Sequence, residues 1–503
     1  MMAFSQCIGI GLLLQAGRVI YLAGPGLATL AYVVAGTILW ASAVSLGEMS
    51  ALLPVNGPII LFPMRFLDRS LGFTAGWMTW FSWVVIVALE LVAIAHLFQF
   101  HYPEDLLQQA GYPDPTLRFD PQVSPAVFVF SFWVIMVSVN LLPVRHLADL
   151  EFIFGFIKMA YLSLICAFNV ALHAMRPPDK EAFWTWNSPY SGTSQNFTLH
   201  NGAVVEGDAG HFLGFWEAVT HALFGLVGFE TIAIAAAENR DRERQETVKL
   251  ATRKISIRII LLYALCTFTA GLNVPYTYPL LRNKEALSIS YGQSSIFVIA
   301  PVLGRLTGWP LFFNHFMVFT ATTAGTMAIY NASRTLHALA SIQEVWPDSA
   351  GRFRRWLMAT NNSKVPKHAV LICGAFGAIG FVAVDPGSTE SLARMARACV
   401  IGMLITYGIV SASYIQFYKK LNLAATGQDD TIQANANLDV YKRDDDRYPF
   451  KSRWQPYTAY YSTVCCALIV FFNGWSTLVR PVDIGDFFGC YAAVRSPPMT
   501  TRT

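Results

Sequence analysis

Ser5-Gln6-Cys7-Ile8-Gly9-Ile10-Gly11-Leu12 sits inside an apolar run at the start of the chain. Two glycines one residue apart weaken the helical ladder and let the backbone open. A helix opened in a membrane bares the amide N–H groups that begin its second half, at the positive end of that half's dipole. Such a gap is a ready place for a carboxylate. A matching irregularity, Phe224-Gly-Leu-Val-Gly228-Phe-Glu230, falls in a later apolar run. Glycines are also common where membrane helices cross. Paired breaks in the first and sixth of a series of spans, however, point to an inverted-repeat transporter with its site at the midplane.

The rest of the chain carries that series. Of 503 residues, 54 % are hydrophobic and only 14 % charged, with a mean hydropathy of +0.42. A soluble chain carries about 25 % charged residues, so this one lacks the polar surface to coat itself in water. Further apolar runs at Ala126–Leu142, Phe152–Leu172 and Tyr460–Val479 approach the ~20 residues that cross a bilayer as a helix. Disorder, a coiled coil and a soluble enzyme are excluded as the main body. The fold class is an all-α polytopic membrane protein.

Apolar windows between polar breaks predict spans near Ala3–Ile20, Leu27–Leu46, Phe73–Phe98, Ala126–Leu142, Phe152–Leu172 and Phe212–Ala237. A second series follows near Ile255–Leu272, Pro310–Leu339, Ala369–Val384, Ala393–Tyr418 and Tyr460–Val479. A twelfth begins at Asp486 and collapses after Val494 into Arg495-Ser-Pro-Pro, too short to cross. The expected division is a first repeat over 1–175, a loop over 176–211, a second repeat over 212–420, a further loop over 421–458 and a terminal pair over 459–503. The segment Asn422–Arg453, rich in Asp and Asn, reads as a mobile loop.

Most Lys and Arg fall in every second loop: Arg65 and Arg69, Arg145, the run Arg240–Arg258, Arg352–Lys367 and Lys419–Arg453. The positive-inside rule makes those loops cytoplasmic, and the N-terminus with them. The opposite loop His173–His211 holds Asn196-Phe-Thr198, a glycosylation acceptor pattern that then faces the exterior. No basic n-region precedes the first span, so no cleavable signal peptide is expected.

Ionisable residues within spans are costly, and each is a functional candidate. Glu90 lies well inside the third span, and Glu230 directly follows the sixth-span break. Lys158 lies two turns from Glu151 on one helical face, about 10 Å along the axis. A lysine facing a cavity there gains and loses a proton as its neighbours move; the competing reading is snorkelling to the interface. Glu48, Glu151 and Glu238 lie near cytoplasmic ends, where pairing with loop arginines is the simpler expectation.

Other chemistry is missing from the sequence. The net charge of +4 and the lack of a basic stripe give no sign of a nucleic-acid partner. The histidines lack metal-ligand spacing, and H-E-x-x-H, G-x-S-x-G and Walker A motifs are absent. The 8 cysteines form no readable disulfide framework. No enzyme activity, cofactor or metal is expected, so transport is driven by an ion gradient or by the substrate's own.

In order and spacing these motifs resemble the fungal amino-acid permeases of the amino acid–polyamine–organocation superfamily, over nearly the whole chain. The matching residues are Ile8-Gly-Ile-Gly11-Leu12, Gly47-Glu48-Met49, Pro54-Val-Asn-Gly57, Gly76-Trp77-Met-Thr-Trp80 and Glu90-Leu91. They continue with Asn140, Val144-Arg145, Glu151-Phe152, Ile157-Lys158, then Phe224, Gly228 and Glu230, Ala237-Glu238-Asn239, Asn314, Tyr330-Asn-Ala-Ser333-Arg334 and Gln455-Pro456-Tyr457.

The resemblance implies a five-plus-five inverted-repeat fold with broken first and sixth helices, about eleven spans and an aborted twelfth. It implies import of an amino acid, commonly with protons, across the plasma membrane. The implied substrate site comprises Cys7, Ile8, Gly9, Ile10, Gly11, Glu90, Phe224, Gly225, Leu226 and Gly228. The substrate carboxylate lies on the first-span amides, its amine near sixth-span carbonyls, and Phe224 forms a lid. Lys158 and Glu230 are the proton-coupling candidates, and lipid, protons and the amino acid are the partners.

Several positions depart from the family pattern. Ile10 stands where Thr or Ser is usual, which removes a hydroxyl beside the carboxylate site. Leu226 replaces an aromatic, Ala148-Asp149 replaces a G-E, and Asp241 interrupts an N-P-R. Relatives begin with a hydrophilic tail and end with a full twelfth span. Neutral or broad specificity is the default expectation; a cationic substrate would use Glu90 or Glu230. The competing function is an amino-acid sensing receptor without appreciable flux.

Overall fold

The computed structural model describes residues 2–479, together with 487 and 491, apart from 54, 120–121, 177–180, 195, 200–201, 229, 232–255, 283–291, 344–345, 362–364, 385–388, 426–442 and 444–447. Among them the chain is almost wholly helical. A short helix α1 (Met2–Cys7) is followed by α2 (Ile10–Leu52), α3 (Pro58–Phe66), α4 (Arg69–Phe98), α5 (Glu104–Ala110), α6 (Pro125–Asn140) and α7 (Val144–Ala174). Then come α8 (Gly207–Leu226), α9 (Ser256–Gly271), α10 (Ile296–Leu303), α11 (Trp309–Ser341), α12 (Gly351–Met358), α13 (Lys367–Phe376), α14 (Thr389–Ala425) and α15 (Tyr457–Phe472). Two small antiparallel ribbons pair β1 (Phe100–His101) with β2 (Arg118–Phe119), and β3 (Asn196–Thr198) with β4 (Val204–Glu206).

The apolar windows correspond to helices, with two differences of outline. The first and second spans do not end in a loop, because α2 runs from Ile10 to Leu52 and bends at Gly24. Gly24 holds a positive φ of 78°, which a side chain disfavours, and Pro25 brings no N–H to the ladder. The carbonyls freed by the bend are taken up by a docked loop. Ser194 donates from its backbone N–H to Ala23 O at 2.9 Å and from its hydroxyl to Leu22 O at 2.6 Å. The ninth predicted span is α13 followed by a 3-10 turn over Gly377–Val384. The stub 486–494, save for 487 and 491, and Glu238 lie outside the described residues.

Helices α2, α4, α7 and the Arg394–Leu423 part of α14 are each long and apolar enough to cross a membrane. The outer helices leave large apolar side chains uncovered, among them Phe130, Phe152, Ile153, Leu261, Val464 and Phe471. Water penalises such a surface and lipid tails accept it. The protein is a multi-pass membrane protein.

Inside, α2 packs most extensively on α8, and α4 on α11, so the two broken helices and the Glu90 helix meet at the centre. Asn140 on α6 ties this core by donating to Thr326 O on α11 at 2.8 Å.

Of the carboxylates near helix ends, Glu48 does pair with a loop arginine. Arg443 Nε donates to Glu48 Oε1 at 2.8 Å and Nη2 to Oε2 at 3.2 Å. Tyr448 Oη and the Ser452 backbone N–H donate to the same carboxylate, at 3.1 Å each. Burial works against the Arg443 charge, but the Glu48 carboxylate outweighs it and holds the guanidinium above its ordinary pKa. The described end of the 422–453 segment is therefore anchored, contrary to the expectation of a mobile loop throughout. Breaking a buried pair strands the remaining charge. Arg443→Ala is expected to lower the stability of the purified protein by on the order of 3 kcal/mol. Glu48→Gln/Arg443→Ala should recover part of that loss, as read by thermal unfolding in detergent.

Candidate functional site

The first break falls where the glycines predict it. Helix α1 stops at Cys7 and α2 begins at Ile10, with Gly9 extended at φ −120° and ψ −157°. A break leaves carbonyls at one end and N–H groups at the other without helical partners, and in a bilayer no water replaces them. Lys158, on α7, supplies the carbonyl side. Its Nζ donates to Ser5 O at 2.7 Å and to Ile8 O at 2.8 Å, and the residue is fully buried. Snorkelling to the interface is thereby overturned. Tyr263 on α9 donates its hydroxyl to Cys7 O.

On the amide side stands Glu90 of α4. A Cβ added to Gly9 would lie 2.7 Å from Glu90 Oε1, so the carboxylate packs directly against that backbone. Glu90 Oε2 is buried without a hydrogen-bond partner.

The sixth-span break follows α8. Val227 is extended, and Gly228 has φ +124°, a conformation open to glycine. Tyr407 on α14 holds the turn: its hydroxyl donates to Glu230 Oε2 and accepts from the Gly228 N–H at 3.4 Å. Asn331 Nδ2 on α11 donates to Thr231 Oγ1 at 2.8 Å. The continuation of this helix lies outside the described residues.

The two broken helices cross glycine on glycine. A Cβ on Gly11 would meet Gly225 Cα at 2.5 Å, and one on Gly225 would meet the Gly11 carbonyl carbon at 3.0 Å. Both contacts are to backbone, so no side-chain rotation relieves them.

Between the breaks lies a cavity of about 40 Å³, where one water needs roughly 10–15 Å³ by the same measure. Of the residues named from the sequence, Cys7, Gly9, Gly11, Glu90, Phe224 and Gly225 line it. Ile8, Ile10, Leu226, Gly228 and Glu230 do not, although Ile8 and Gly228 shape the breaks. Gln6, Trp83, Ile86, Val227 and Ala324 complete the lining. Helical spacing carries the signal for two of these, since Trp83 and Ile86 stand seven and four residues before Glu90 on one face. Asn196 lies on β3 and is not among the residues lining the cavity. No group of three potential metal ligands occurs among the described residues.

The amino acid permease family model matches residues 1–496. The chain is similar to the lysine/arginine permease CAN1 of Candida albicans, with 28 % identity over 98 % of this chain and 76 % of the relative. It is similar to the basic amino-acid permease of Saccharomyces cerevisiae, with 27 % identity over 98 % of this chain and 77 % of the relative. A proline-specific permease of Emericella nidulans shares 25 % identity over 95 % of this chain and 78 % of the relative.

Gly11→Val and Gly225→Val should each reduce uptake at least tenfold with the protein still at the cell surface, as measured by labelled uptake beside surface biotinylation. Undiminished uptake by either surface-expressed variant would remove the glycine crossing from the site.

Proposed function

Since the chain belongs to the amino acid permease family and transports amino acids across a membrane, we propose that it imports them with protons, basic amino acids first. The repeats over 1–175 and 212–420 then act as a five-plus-five inverted pair around the cavity, with a cytoplasmic N-terminus in the plasma membrane. The substrate carboxylate takes the amides of Gly9–Gly11, its amine the sixth-span carbonyls near Phe224–Leu226, and a basic side chain takes Glu90. Phe224 closes over it. Asn196, exposed on the outer side, is open to glycosylation.

One observation carries the coupling: a fully buried lysine spans the first break by its ammonium hydrogen bonds. A charged donor makes roughly twice as strong a bond as a neutral one. Loss of the Lys158 proton therefore loosens α1 from α7, and its return fastens it. Coupling substrate to a proton needs no more than this two-state contact, biased by what occupies the cavity. Glu230, held by Tyr407, fixes the sixth-span turn and is the secondary proton candidate.

The preference for basic substrates rests on charge. Glu90 is the one ionisable carboxyl among the described residues lining the cavity, and the aromatic residues Trp83 and Phe224 line it too, a setting suited to a cation. The names of the lysine/arginine and basic amino-acid relatives agree with it. A cavity of this size holds no amino acid, so α1 and α8 must part before substrate enters.

In yeast lacking its own permeases, a surface-expressed tagged protein should accumulate labelled lysine or arginine, and a protonophore should abolish the accumulation. Binding without flux would support the sensing receptor instead. Lys158→Ala should retain exchange while accumulation loses its pH dependence. Unchanged pH dependence in that variant would exclude Lys158 from coupling.

A further inference from the structure

Glu151 does not share the fate of Glu48. It lies on α7, seven residues before Lys158, and is fully buried. Among the described residues nothing holds either of its carboxyl oxygens in a close hydrogen bond, although the Ser5 hydroxyl is within reach to donate. Its polar neighbours among the described residues are Lys158 and the buried Ser5 hydroxyl. Ser5 belongs to the same half-helix that Lys158 clamps through the Ser5 carbonyl. Lys158, Ser5 and Glu151 thus line one seam where α1 packs on α7. At the cavity end of the seam the other ionisable groups facing Lys158, among the described residues, are Glu90 on α4 and Cys7 on α1.

A carboxyl with no fixed hydrogen bond is a poor structural element, because an amide or an apolar residue fills the space at less cost. Its one chemical advantage is that it takes and releases a proton. When ionised it calls for a cation, and Lys158 is the cation on its own helical face. The seam therefore sets an acid, an amine and a second acid in a row, from the cavity to the far end of α1.

We infer that Glu151 is the proton-exchanging partner of Lys158, on the side of the lysine away from the substrate. This rests on Lys158 being the proton carrier and adds the route by which its proton leaves. The Lys158 ammonium gives a proton to the Glu151 carboxylate, leaving a neutral amine and a neutral acid. The acid then releases that proton to water as α1 loosens, returning to a carboxylate. Lys158 recovers a proton from the Glu90 side. One proton crosses per cycle and every charge is restored.

The test uses the full purified chain in liposomes, with labelled lysine or the amino acid that the yeast panel returns. Three quantities are read: accumulation driven by a pH gradient, proton flux reported by an internal pH dye, and counterflow against unlabelled substrate, which needs no net proton movement. Glu151→Gln is expected to lower gradient-driven accumulation and proton flux at least tenfold, keep counterflow within threefold, and flatten the pH profile. Glu151→Asp should restore the profile. Wild-type proton flux and pH profile in Glu151→Gln would overturn the inference.

Lys158→Gln, run in parallel, tells failure at Glu151 from failure at the lysine. If it is uncoupled while Glu151→Gln is not, only the Glu151 role fails. If it too keeps wild-type proton flux, Lys158 is not the carrier and the inference falls with it. Should Glu151→Gln not fold, the wild-type chain is treated with a hydrophobic carbodiimide and mapped by mass spectrometry. Adduct at Glu151 with loss of proton flux but not of counterflow supports the role, and intact flux in the fully modified protein overturns it.

Discussion

The two hydrogen bonds from Lys158 to Ser5 O and Ile8 O make a broken helix tolerable inside a bilayer. A break at Ile8–Gly9 strips carbonyls of their helical donors where water is absent, and each unsatisfied group costs several kcal/mol. One ammonium meets two of those acceptors and Tyr263 a third. Lysine burial, the first break and the cavity beside it belong to one arrangement.

Gly11 and Gly225 impose the complementary constraint. Backbones in contact at this crossing leave no space to adjust by side-chain rotation, so the crossing of α2 on α8 is fixed. The same closeness brings the Glu90 carboxylate against Gly9. A larger residue at any of these places would fill the cavity and separate the carboxylate from the amides together.

What was legible in the sequence follows from how local each signal is. The breaks at Ile8–Gly9 and Val227–Gly228 were readable because glycine spacing acts within one helix. Glu90 was readable because an acid inside an apolar span is costly and persists there chiefly where it serves a site. The clamp was not, since Lys158 meets residues about 150 positions away and nothing along α7 names its partner. Helical spacing from Glu90 marked Trp83 and Ile86 as neighbours of the site, whereas Ala324 joins it only through the packing of α11 on α4. The bend at Gly24–Pro25 read as a loop between spans, because its carbonyls are satisfied by Ser194, more than a hundred residues on.

Glu48 and Glu151 show how one residue type diverges once long-range packing is set. Both are fully buried glutamates near helix ends. Arg443, Tyr448 and the Ser452 amide enclose Glu48 and fix it, so α2 is pinned at that end. Ser194 holds α2 again at its bend, and Gly225 holds it at the site. A helix fastened at three places along its length moves little by itself. Helix α1 lies two residues from α2, and its Ser5 and Cys7 carbonyls are held by Lys158 and Tyr263. Under the proposed coupling, the element loosened by loss of the Lys158 proton is α1, and the loosened edge is the seam where α1 meets α7. Glu151, the buried acid without a fixed partner, lies on that seam.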